Sequence, residues 1–255
     1  MNLLALDTST ETLSVAVATG ASQADLAVAG AEPPTARVWA HNAPGGAMAS
    51  AQLLPLVLQL LAQAGLEVRD LHAIAFGAGP GAFTGLRTAC AVAQGLGFAA
   101  QVPLLPVDTL LAVAEDARAT LGFPAQLQVG VLVDARMDEL YTASYFFDST
   151  QWAPTLPVRL EKPQNLSPSV LGLAAGSTLA GNGMAAYTDR LPAATLAHAA
   201  VAAQPDARAL LRLAPGLLAR GLALDAAQAM PVYIRNKVAL TTEERAAQRL
   251  AQAAP

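Results

Sequence analysis

The stretch Phe76–Phe98, FGAGPGAFTGLRTACAVAQGLGF, constrains this chain more than any other. It begins as the end of an apolar run, His72-Ala73-Ile74-Ala75-Phe76, which reads as a buried strand. Gly77, Gly79, Pro80, Gly81 and Gly85 then follow in quick succession, where neither a strand nor a helix interior continues. From Thr84 a run of Leu, Ala, Val, Cys and Gln carries helical spacing to about Ala100. The order is strand, glycine loop, helix, which aims free backbone N–H groups at the helix N-terminus and favours an anion there. The dinucleotide pattern G-x-G-x-x-G fails at Ala82, and the phosphate-loop pattern fails because the first basic residue is Arg87. The same loop also serves as a sharp turn that lets the helix pack close to the sheet. The residues alone leave both uses open.

Composition narrows the class. The chain has 255 residues, enough for one large or two small domains. Its 54% hydrophobic content is inflated by alanine, and the run Leu53–Ala64 is interrupted by Pro55, Gln59 and Gln63. That falls short of the roughly 20 residues a membrane span needs. The chain enters a strand at Leu3, so no signal peptide is expected, and Cys90 alone supports neither a disulfide framework nor a cysteine metal site. The expectation is a soluble cytoplasmic protein without membrane contact. Net charge is −4, with Lys162 and Lys237 the only lysines and the arginines scattered. A protein gripping RNA unaided carries a basic stripe, and none is visible.

Taken in order, Asn2–Asp7 and Leu13–Ala18 read as strands joined by the turn Asp7-Thr8-Ser9-Thr10-Glu11. Gln23–Gly46 reads as a strand and a loose Ala/Pro/Gly connection. The helix Met48–Ala64 is apolar nearly all round, which implies a second buried face, either internal or against another protein. The helix Thr84–Ala100 has no charge after Arg87 and carries the small residues Ala89, Cys90, Ala93, Gly95 and Gly97. The two helices are expected side by side as a partner surface made of Leu53, Val57, Leu61, Ala89, Cys90, Ala93 and Leu96. Val102–Val107 is a strand, and Asp108 an N-cap for the helix Thr109–Leu121. Val129–Asp134, the turn Ala135–Glu139 and Leu140–Phe147 form a hairpin. After Leu191 the chain reads as helical, broken at Pro205, Pro215 and Pro231, and Thr241–Pro255 as a charged tail. These features divide the chain at 1–107, 108–235 (its last helices packing back on the first domain) and 236–255. No internal sequence repeat is visible.

FGAGPGAFTGLR followed by VPLLPVDTL resembles the TsaB family of bacterial tRNA threonylcarbamoyladenosine biosynthesis proteins. So do Leu3-Leu4-Ala5-Leu6-Asp7-Thr8-Ser9-Thr10, Val133-Asp134-Ala135-Arg136-Met137-Asp138-Glu139-Leu140-Tyr141 and Pro231-Val232-Tyr233-Ile234-Arg235. GPGxFTGLR is the specific segment, and Phe147–Met230 the least distinctive stretch. The resemblance implies an α/β fold of two actin-like (ASKHA, ribonuclease H-like) domains, each a mixed sheet with flanking helices. It also implies a non-catalytic subunit that binds the catalytic paralogue TsaD and acts with the ATPase TsaE. On this reading the chain is a homodimer when alone and meets tRNA only through the complex. It requires no cofactor itself, with ATP or ADP entering at the level of the complex. The paralogue's two metal-binding histidines fall on Thr109 and Val113 here, so no metal site is expected.

The alternative is a small actin-fold ATPase or kinase. Asp7, Thr8, Gly79, Gly81, Thr84, Asp134 and Gly183 would then line one nucleotide or anion cleft. Against it stand a first loop without glycine, Asp-Ala-Arg at Asp134 in place of Asp-x-Gly, and no nearby lysine. Gly181-Asn182-Gly183 resembles an adenosine-meeting turn and is equally a plain turn. A peptidase lacks support: HExxH and G-x-S-x-G are missing, and His41, His72 and His198 share no spacing. No catalytic residue is expected.

Overall fold

The computed structural model describes residues 1–20 and 36–235. The tail reading for Thr241–Pro255 and most of the connection after Gln23 lie outside the described residues. The first half runs β1 (Leu3–Asp7), β2 (Thr12–Thr19), β3 (Arg37–Pro44), α1 (Ala49–Ala64), β4 (Ala73–Gly79), α2 (Phe83–Ala100), β5 (Leu104–Asp108) and α3 (Thr109–Thr120). The second half runs β6 (Leu127–Arg136), β7 (Glu139–Phe147), β8 (Trp152–Glu161), β9 (Thr178–Ala180), α4 (Gly183–Ala186), α5 (Ala193–Leu196), β10 (Ala199–Val201) and α6 (Ala207–Ala219).

The two sheets share one topology. The first has the order β3-β2-β1-β4-β5 and the second β10-β9-β6-β7-β8, the same arrangement counted from β6. In each, three strands form an antiparallel meander, a fourth joins the central strand in parallel, and a fifth pairs in parallel with that fourth. This is the two-sheet, helix-flanked α/β architecture the resemblance implied, duplicated without a sequence repeat. The copies differ in their crossovers. The first sheet uses α1 and α2, whereas the second uses 3-10 turns and the four-residue helices α4 and α5.

The core follows the strand alternation. On β1, Leu3 and Ala5 face a layer containing α3 and α6, while Leu4 and Leu6 face α1 and α2. All five residues of β1 are buried, as both faces of this central strand are covered. On β6, Val129, Val131 and Val133 join the shared layer, and Leu132 points outward to Leu140, Leu166, Leu171 and Leu179. The helices α3 and α6 therefore lie between the sheets, with α6 packed on β1, β2, β4 and β5.

Two expectations need correction. Pro215 does not break a helix but lies buried inside α6. A proline in a helix interior costs about 3 kcal/mol, which the burial of Leu210, Leu211, Leu213 and Ala214 offsets. The segment after Leu191 is also not wholly helical: Ala199–Val201 pairs with Thr178–Ala180 as an edge strand, a role three small residues do not announce.

Candidate functional site

The glycine loop and the first turn are locked together. Asp7 ends β1 fully buried, and its Oδ1 accepts from the Ser9 amide at 2.8 Å and the Ser9 hydroxyl at 2.7 Å. Thr8 donates its hydroxyl to the Gly85 carbonyl at 2.7 Å, and the Ala82 amide donates to the Ser9 carbonyl at 2.7 Å. A Cβ on Gly77 would overlap the Asp7 carboxylate, one on Gly85 the Thr8 carbonyl, and one on Gly81 would lie 2.6 Å from the Ser9 carbonyl. The glycines thus serve close backbone approach. Of the two uses open in the sequence, the packing turn is the one the structure displays.

The residues read as nucleotide-facing, Asp7, Thr8 and Gly81, lie at this contact. Asp7 and Thr8 are 0% and 2% exposed, with the α2 N-terminus seated directly on their turn. Gly79 sits at φ +119°, donates to the Thr109 hydroxyl at 3.1 Å, and a Cβ there would lie 2.5 Å from the Val232 carbonyl. Thr84 is exposed on the first turn of α2. Across the cleft, Asp134 Oδ1 accepts from the Arg136 amide at 2.8 Å and the Tyr187 hydroxyl at 2.9 Å. Burial, then this bond, pushes the Tyr187 phenol up to about 12. At Gly183 a Cβ would lie 2.5 Å from Leu140 and 2.8 Å from the Leu132 carbonyl, so the turn packs against the second sheet. Asn182 meanwhile accepts the Asp134 amide at 2.9 Å.

Residues 230–235 form a strap over the glycine loop, a role the sequence motif did not reveal. The Val232 amide donates to Ala78, and Tyr233 stacks on Phe83 with centroids 5.1 Å apart. Arg87 lies 3.8 Å over the Phe83 ring and donates to the Tyr233 hydroxyl at 3.1 Å. Arg235 pairs with Glu139, and Arg136 pairs with Glu11 at 2.6 Å, which ties the two halves across the cleft. The space left between the strap, Pro80 and Met137 is about 230 Å³. That is below the roughly 300 Å³ at which small-ligand pockets begin.

The expected partner surface is corrected as well. Leu53, Val57, Leu61, Ala89, Cys90 and Ala93 are all buried in the chain's own core against the first sheet, and Leu96 is partly buried against it. The outward face of the same two helices carries Leu54, Leu58 and Phe98, the last 71% exposed. Ala91 and Gly95 of α2 are exposed as well. No charged residue occurs in α1, and α2 has only Arg87. Apolar residues all round a helix told of two faces without saying which was which.

Gly85→Ala is expected to lower stability by about 1–3 kcal/mol, because the overlap with Thr8 outweighs alanine's better helix propensity. A melting temperature at or above the parent's would show that the loop and turn are not in contact.

The family model described as TsaD, tRNA N6-adenosine threonylcarbamoyltransferase, matches residues 46–246. The chain is 31% identical over 241 residues to the tRNA threonylcarbamoyladenosine biosynthesis protein TsaB of Escherichia coli K12, covering 94% of this chain and 96% of that protein. The Haemophilus influenzae protein of the same name is 30% identical, covering 93% and 95%. A solved structure, YeaZ from Pseudomonas aeruginosa, superposes with a TM-score of 0.75 at 37% identity, over 91% of this chain and 99% of that one.

Proposed function

The chain belongs to the TsaB family of tRNA threonylcarbamoyladenosine biosynthesis proteins, and from that premise we propose that it is the non-catalytic, partner-binding subunit of this tRNA modification system. One observation carries the non-catalytic part. The positions that the resemblance sets against the paralogue's metal-binding histidines are Thr109 and Val113, and both are fully buried. Thr109 spends its hydroxyl on the Gly79 amide, and Val113 packs in the inter-sheet core. Neither residue type at either place holds a metal. The packing of the glycine loop on the buried Asp7 and Thr8 supports this reading over the kinase or ATPase alternative. Any ATP or ADP would enter with the assembled complex. No helix among the described residues is long and apolar enough to cross a membrane, and a tRNA-modifying role belongs in the cytoplasm.

The partner surface of this proposal is the outward face of α1 and α2, displaced by one helix face from the sequence expectation. Leu54, Leu58 and Phe98 supply apolar area, while Ala91 and Gly95 let another backbone approach. A TsaD-type subunit is the proposed occupant, with a second copy of this chain in its absence. A TsaE-type ATPase joins through that pair, and tRNA is met through the complex. Leu58→Glu and Gly95→Arg test the surface. Leu58 is 50% exposed, and a Cβ at Gly95 meets nothing within 4 Å, so both variants should melt like the parent. Each is expected to weaken co-sedimentation with a TsaD-type subunit at least about tenfold, the effect of about 1.4 kcal/mol. Undiminished binding by both would place the partner elsewhere.

A further inference from the structure

The largest cavity described, about 740 Å³, lies far in sequence from the glycine loop, between α3, α6 and the turn joining β7 to β8. Leu111, Leu213, Leu217, Phe147 and Trp152 give it apolar and aromatic walls. Gly216, of a type that helices disfavour, also stands on the lining and leaves that stretch of α6 without a side chain. Glu115, Arg118 and Arg212 on the lining belong to a buried cluster that is closed on itself. Glu115 Oε2 accepts from Arg118 Nε at 2.9 Å and Trp152 Nε1 at 2.9 Å. Its Oε1 accepts from Arg118 Nη2 at 3.2 Å and Arg212 Nε at 2.7 Å. A carboxylate offers about four lone-pair positions, and here all are taken.

The guanidiniums are matched as well. Burial pushes the neighbouring Asp116 carboxyl up, and Arg212 is among the groups that oppose that push, so this arginine faces Asp116 as well as Glu115. Two carboxylates thus answer two guanidiniums. Arg118 is further covered by the Phe147 ring at 4.1 Å and the Phe123 ring at 4.9 Å. Arg212 Nη2 has no hydrogen-bond partner but is closed to solvent, so it does not open on the cavity. Arg220, which is exposed, is the one charge on the lining outside the cluster. An ion entering here gives up its water with no free buried counter-charge to replace it, whereas an apolar body gains by leaving water. A cavity of this size with apolar walls and a few polar groups has the make-up of a small-molecule site. We propose that the cavity between α3, α6 and the β7–β8 turn binds a small uncharged molecule, an aliphatic or aromatic body with one neutral hydroxyl or carbonyl. The body lies against Phe147, Trp152, Leu213 and Leu217, and the neutral head meets the exposed polar turn at Ser149 and Gln151.

Equilibrium dialysis of the full chain against octan-1-ol, sodium octanoate and octylammonium chloride near neutral pH tests this site. Octanol is expected to saturate one site per chain and to bind at least about tenfold tighter than either ion of the same chain length, since each ion loses hydration without a free partner. Arg220→Glu reverses the one exposed charge outside the Glu115 cluster and should leave both the melt and the octanol affinity unchanged. Leu111 and Leu217 are partly buried on the two helices that flank the cavity. Leu111→Trp and Leu217→Trp fill it from either side, and whichever melts like the parent should weaken octanol at least about tenfold. Either ion binding as tightly as octanol, octanol binding weakened by Arg220→Glu, octanol binding untouched in a folded tryptophan variant, or no saturable octanol binding would each overturn the proposal.

Discussion

Val57→Glu and Ala93→Glu are expected to unfold the chain, whereas Leu58→Glu on the neighbouring position of α1 should leave it folded. Val57 and Ala93 are fully buried between the helix pair and the first sheet, among Leu4, Leu6, Ile74 and Phe76. None of these four side chains can pair with a carboxylate. An unpaired carboxylate there costs several kcal/mol even after it takes up a proton. Domains of this kind have only about 5–15 kcal/mol in total, so most of the stability is lost. Urea unfolding of the three variants separates the cases. A Val57→Glu protein with the parent's midpoint would mean that α1 turns its Val57 side to solvent, and the partner face would then move back to the residues read from the sequence.

That contrast also shows where the sequence stopped being legible. The strands Leu3–Asp7 and Ala73–Gly79 were readable because a central strand is a continuous apolar run. The Asp108 cap was readable because capping is local, and Asp108 Oδ1 does accept the Leu110 amide at 2.8 Å. The side of α1 that meets the sheet was not, since Leu53 and Leu54 have the same chemistry and opposite fates. The difference between them comes from where β2 and β4 lie, which no window of sequence contains.

The candidate site was half legible for the same reason. Glycine density marked residues 77–85 as unusual, but whether the glycines admit a phosphate or a neighbouring backbone depends on Thr8 and Ser9, some seventy residues earlier. The ion cluster around Glu115 was missed altogether. Its one local clue is the Glu115–Arg118 spacing of a helix turn, whereas Trp152 and Arg212 arrive through the second half's fold. The strap illustrates a third limit. Pro231–Arg235 carried a motif, yet its work, tying Val232 to Ala78 and Arg235 to Glu139, is visible only with both halves in place.

Replacing Asp7 with asparagine should flatten the pH dependence of stability. Burial, opposed in part by the two Ser9 hydrogen bonds and assisted by the nearby Asp206 carboxylate, pushes the Asp7 carboxyl from 3.8 up to about 7. The native state therefore holds this proton more tightly than the unfolded chain does. Stability from this group is complete below about pH 4 and is lost as pH rises through about 7. At 1.36 kcal/mol per unit, the loss amounts to about 4 kcal/mol. Asp7→Asn keeps an oxygen to accept from Ser9 and places an uncharged amide nitrogen where Oδ2 has no partner beside Gly77. Burial also raises Asp108 and Asp116, but those groups remain in both proteins and drop out of the difference. Urea unfolding from pH 4.5 to 8 samples most of that range and should show the variant gaining on the parent by about 3 kcal/mol. Ser9→Ala, which removes a donor to the ionised form, should steepen the parent's decline instead. Parallel profiles for parent and Asp7→Asn would mean that Asp7 is ionised throughout, with solvent or a cation reaching it, and the first loop would then have to be read as an open phosphate site after all.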